Sequence, residues 1–142
     1  MALGTVYNYK NFKFSDESLS DGVKLLVQLS TPKDNENILF CLTTSQAKIY
    51  RSNNKGCHNN YYKIDACEDC FPKNTWILFE IYSIEQYKLT NAKLGSKVMS
   101  GYGNLKKETL ENLLLCMIKS EDISQANIKI LNQSIIENQL HI

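Results

Sequence analysis

The chain has 142 residues, 43% of them hydrophobic and 22% charged, with a formal net charge of +1. That length suits one domain with its own core, and the composition excludes bulk disorder. The near-neutral charge excludes a global field that would draw in nucleic acid, so any RNA contact has to come from a local patch. No apolar run is long enough to cross a bilayer. The opening MALGTVYNYKNFKF also lacks the charged, apolar, small-residue order of a secretory signal, so the expected location is cytoplasmic, with no membrane partner.

In chain order, Gly4 to Tyr9 is rich in β-formers, and the turn chemistry of Ser15-Asp16-Glu17-Ser18 and Ser20-Asp21-Gly22 separates it from the next apolar run. Val23 to Leu29 and Ile38 to Thr44 read as two strands of a hairpin, joined through Thr31-Pro32-Lys33-Asp34-Asn35. Ala47 to Tyr50 and Tyr61 to Ile64 read as further strands around a turn at Ser52-Asn53-Asn54-Lys55-Gly56. Thr75 to Ile81 is the most strand-like segment, with Trp76 expected in the core. Residues 83–89 fit either a helical turn or a short strand, and Gly101-Tyr102-Gly103-Asn104 reads as a break. Beyond it, Leu105, Leu110, Leu113, Leu114, Met117 and Ile118 form an apolar stripe at helical spacing, which predicts a helix from about Lys106 to Lys119. A weaker helical pattern runs from Ser124 to Leu140. The expected class is α+β, mainly β: a small antiparallel β-barrel over residues 1–119 with its closing helix, then a helical extension or tail over 120–142.

Five cysteines without a secretory signal read as reduced thiols or metal ligands, and no structural disulfide is expected. Cys57, next to His58, and the Cys-x-x-Cys pair Cys67 and Cys70 are weak candidates for a structural zinc, short of a complete ligand set. Arg51 is the only arginine, hence the sole side chain able to grip a phosphate with a two-pronged fork.

Gly4-Thr5-Val6-Tyr7, then Ser20-Asp21-Gly22-Val23-Lys24-Leu25-Leu26-Val27, then Ile38 to Thr44 running into Ser45-Gln46, then Asn74-Thr75-Trp76-Ile77-Leu78, and last Gly103-Asn104-Leu105-Lys106-Lys107-Glu108 follow one another at spacings that resemble the MazF/PemK toxin family. The resemblance spans residues 4 to about 119 and implies a barrel of the CcdB/PemK/MazF type. It also implies a metal-independent endoribonuclease that cleaves single-stranded RNA without a cofactor, acts as a homodimer and is restrained by a cognate antitoxin protein. Thr44 falls at the family's catalytic threonine, while Lys24 stands where the family carries arginine followed by proline.

In that reaction a ribose 2′-hydroxyl attacks the adjacent phosphate and leaves a cyclic phosphate, so the protein has to orient the hydroxyl, neutralise charge on phosphoryl oxygens and protonate the leaving oxygen. Lys24 supplies a point charge and Thr44 a hydroxyl donor. Arg51 is the candidate for the missing guanidinium, and His58 has an intrinsic pKa suited to acid or base work. Ser45, Gln46, Tyr61 and Tyr62 are the candidate RNA contacts, the two tyrosines as stacking platforms. The rival expectation is a barrel that has lost cleavage and serves as an RNA- or protein-binding module.

Overall fold

The structure is a computed structural model that describes residues 2–9, 24–31, 37–85 and 99–141. It is an α+β domain, mainly β. The strands are β1 (Thr5–Tyr9), β2 (Lys24–Gln28), β3 (Asn37–Thr44), β4 (Gly56–Cys57), β5 (Tyr61–Ile64), β6 (Thr75–Glu85) and β7 (Met99–Asn104), and the helices are α1 (Lys107–Ile118) and α2 (Gln125–Glu137). All seven strands join one sheet in the order β4-β5-β6-β3-β2-β1-β7, with every neighbouring pair antiparallel. β4 and β7 are its edges, and the described pairings do not close it into a barrel.

Strand alternation sends side chains to two faces with separate cores. On one face Val27, Leu39, Cys41, Ile77 and Phe79 pack with Leu113, Leu114 and Met117 of α1 and with Leu131 and Ile135 of α2. On the other, Tyr7, Tyr9, Leu26, Ile38, Phe40 and Leu42 form a second cluster. The central strand β3 is buried on both faces from Ile38 to Leu42, which explains its unbroken apolar run.

The expected helix over 106–119 is present as α1, although Lys106 makes no capping bond with its own side chain. The Asp69 carboxylate does that work by accepting from Lys106 N (3.3 and 3.2 Å), while Lys106 Nζ donates to the Glu68 carbonyl (2.6 Å). A loop 37 residues upstream therefore fixes where the helix starts. Helix α2 carries its own cap, the Ser124 hydroxyl accepting from Asn127 N at 3.2 Å.

Three local expectations are corrected. Gly101 to Asn104 is not a break but part of β7, paired with β1 through a bulge at Tyr102, whose ring stacks against Phe71. Gly103 is required there, because a Cβ would lie 2.8 Å from Cys70 Cβ. Ala47 to Tyr50 is not a strand: Arg51 N donates to the Lys48 carbonyl (2.8 Å), and the turn leaves Ile49 and Tyr50 exposed. The expectation of no disulfide also fails, since Cys57 on β4 is bonded to Cys116 on α1 across 59 residues. Among the described residues no helix is long and apolar enough to cross a membrane. The expected turns at 15–18 and 20–22 lie outside the described residues, as do most of the 31–35 connection and of segment 83–89.

Candidate functional site

The site is built where β3 ends. β2 pairs with β3 from Gln28 with Phe40 to Leu26 with Leu42, and Lys24 begins β2 two residues beyond the last pair, at the end of the sheet where Thr44 closes β3. Both are half-buried and belong to the face of Leu26, Phe40 and Leu42. On the other side Thr44 pairs with Trp76 of β6, and Trp76 pairs in turn with Lys63 of β5. One row of the sheet thus reads Thr44, Trp76, Lys63, with neighbouring strands about 4.8 Å apart.

Past Thr44 the chain folds back on itself through backbone contacts. Thr44 Oγ1 accepts from Gln46 N (3.2 Å), and the Gln46 carbonyl accepts from Arg51 Nη1 (2.6 Å). Arg51 also lies over the Tyr50 ring at 5.4 Å and donates from Nη2 to the Tyr50 hydroxyl at 3.4 Å. Its Nε is buried and has no acceptor among the described residues. Ser45, between Thr44 and Gln46, is exposed. Two further bonds hold the loop to the sheet: Trp76 Nε1 donates to the Ser52 carbonyl (3.0 Å), and Ser52 N donates to the Tyr61 hydroxyl (2.6 Å).

Of the expected site residues, Thr44, Gln46 and Arg51 are linked by hydrogen bonds, and Lys24 begins the strand beside that of Thr44. His58 does not join them. Its ring stacks on Tyr61 at 4.6 Å, and Nε2 lies 2.7 Å from the Asn54 carbonyl. A carbonyl only accepts, so Nε2 is the donor in this contact. Tyr61 and Tyr62 are not loop platforms: both sit on β5 at 5% and 7% exposure, and burial pushes the Tyr62 hydroxyl pKa up. Tyr50, 62% exposed at the loop turn, is the aromatic ring that faces solvent beside Arg51.

The weak zinc set is broken up. Cys57 is taken by Cys116, and no group of three or more His, Cys, Asp or Glu side chains placed to hold a metal occurs among the described residues. Cys67 and Cys70 are free thiols in the loop that caps α1. Burial, with the neighbouring Asp69 charge, pushes the Cys70 thiol up to about 11.

The sequence reading missed Lys63. It is 2% exposed, lies 5.9 Å from the Trp76 ring centroid and is ion-paired with Asp65, so its charge is held inside the sheet next to the Thr44 row. Nothing in Tyr61-Tyr62-Lys63-Ile64 announces it, because the run has no alternation and all four residues are buried. Compared with family models, with curated proteins and with solved structures, the chain has no significant match.

Proposed function

We propose that the chain is a MazF/PemK-like endoribonuclease that cleaves single-stranded RNA without a metal. The observation that carries this reading is the hydrogen-bonded string Thr44, Gln46, Arg51, with Lys24 at the start of the neighbouring strand β2. It supplies a hydroxyl, a guanidinium and an ammonium at one end of the sheet, the complement that in-line attack of a 2′-hydroxyl on a phosphate requires. In this reading Thr44 orients the scissile phosphate and Lys24 neutralises its oxygens. Arg51 takes the place of the family arginine from the following loop, and exposed Tyr50 offers a stacking face to a neighbouring base. A cytoplasmic homodimer, with an antitoxin laid across this end of the sheet, completes the proposal.

One observation favours a binding module instead. Arg51 Nη1 and Nη2 are engaged by Gln46 and Tyr50, so phosphate has to compete with bonds already made. Incubation of the purified chain with long single-stranded RNA in EDTA separates the two readings. The ribonuclease reading predicts discrete cuts ending in 2′,3′-cyclic phosphate that Thr44→Ala and Lys24→Ala abolish. Intact RNA at high protein excess on several unrelated sequences favours the binding module.

A further inference from the structure

We propose that the Cys57–Cys116 cystine is a thiol–disulfide exchange site, opened by small thiols and closed by small disulfides of the glutathione type, and that its closed form holds the 45–60 segment in place. The two sulfurs differ in access. Cys57 is exposed on an edge strand, whereas Cys116 is 4% exposed on α1. Both line an open cleft of about 530 Å³, together with His58, Lys119 and Ser120. The cleft also carries the Glu121 and Asp122 carboxylates beside the Lys119 ammonium, so its opening to solvent, and not its charge, lets a small thiolate reach Cys57 Sγ; access to one sulfur is what distinguishes an exchangeable cystine from an inert staple.

The exchange balances in two steps. A thiolate attacks Cys57 Sγ, the bond to Cys116 breaks, and its electron pair leaves on Cys116 Sγ, which takes up a proton. A second thiol then attacks the mixed disulfide, releasing the oxidised small disulfide and the Cys57 thiol. Two thiols supply two electrons and two protons, and the reverse sequence with a small disulfide as oxidant closes the bond again.

The consequence follows from what else holds the segment. β4 is two residues long and pairs with β5 only at Gly56 with Lys63 and Cys57 with Tyr62. From Cys57 a continuous set of contacts leads back to the candidate site. His58 stacks on Tyr61, the Tyr61 hydroxyl accepts from Ser52 N, and the next residue back, Arg51, donates to Gln46, whose N–H donates to Thr44. Opening the cystine removes the covalent anchor and leaves hydrogen bonds and one stacked pair. The expected effect on catalysis rests on the ribonuclease reading; the exchange and the loosening of the segment do not.

The test equilibrates the intact chain in glutathione buffers from fully reduced to fully oxidised, counts free thiols by maleimide mass tagging, and reads amide hydrogen exchange in each state. The expected result is reversible conversion of Cys57 and Cys116, with protection across 45–58 at least tenfold lower in the dithiol form and unchanged in β2 and β3. Cys57→Ser, a substitution at an exposed position, should show the loosened segment in every buffer. A cystine that resists reduced glutathione, a pair that never forms in oxidised glutathione, or equal protection in both states would each overturn the proposal. No RNA is involved, so this failure and failure of the ribonuclease reading are told apart.

Discussion

The centre of the sheet and its β4–β5 edge are held together by different physics. At the centre, β3 lies against β6 and β2 with Ile38, Phe40, Cys41 and Ile77 fully buried, so apolar packing fixes the register. At the edge, the loops 45–60 and 65–70 on either side of the buried strand β5 are placed by side-chain to backbone bonds, Arg51 on Gln46, Trp76 on Ser52, Ser52 on Tyr61 and Asn74 on Ala66, and by one cystine. The candidate chemistry sits where the two regimes meet, with Thr44 on the last rung of the packed strand and Arg51 in the polar loop. Packing gives that site a rigid floor, and the polar contacts give it a wall that can be altered without unfolding the floor.

The largest expected effect lies at the centre. Phe40→Ala empties a site that is closed on all sides and should cost about 3–5 kcal/mol in a urea titration. A cost under 1 kcal/mol would mean that the second cluster is not a true core. Reduction of the cystine should cost about 2–4 kcal/mol through the long loop it closes, and the loss should appear as local exchange at the edge before global unfolding. If both regions open together, the division between them is wrong.

Alkaline pH separates them further. Burial pushes the Cys41 thiol well above its ordinary value of 9.0 and the Cys70 thiol up to about 11, so the unfolded chain releases protons that the folded chain keeps. Stability is therefore unaffected below pH 9 and falls as pH rises above it, by up to about 1.4 kcal/mol per pH unit for one fully buried thiol. Urea midpoints at pH 7, 9 and 10 check the sign, and Cys41→Ala should flatten the slope. At the small end, Ser124→Ala removes the α2 cap and should lower stability by about 1 kcal/mol. Lys55→Ala breaks only an exposed pair with Glu68 and should leave the urea midpoint where it is.

This contrast also explains what the sequence could reveal. Strands and helices whose apolar residues point into a core announce themselves: β3, β6 and α1 were legible from periodicity, as was Trp76 as a core residue. Elements fixed by distant partners were not. β7 was hidden because its glycines read as breakers, although Gly103 is there to admit Cys70. Ala47 to Tyr50 looked like a strand because Ile49 and Tyr50 are β-formers, yet no neighbouring strand accepts them. The cystine joins an edge strand to a helix that local patterns cannot bring together, and Lys63 is buried by the same edge. Lys24 and Thr44 were legible as candidates from the family resemblance and Arg51 as the only arginine, whereas the Gln46 backbone bridge between Thr44 and Arg51 was not.

The most direct test of the proposed site compares Thr44→Ser with Thr44→Val in metal-free RNA cleavage, because valine keeps the shape of threonine and removes the hydroxyl, both as donor and as acceptor of Gln46 N, while serine keeps it. The account predicts that serine retains cleavage within about tenfold of the native chain, while valine loses on the order of a hundredfold or more at unchanged stability. Equal rates for the two variants would contradict it, since the Thr44 hydroxyl would then have no part in the chemistry.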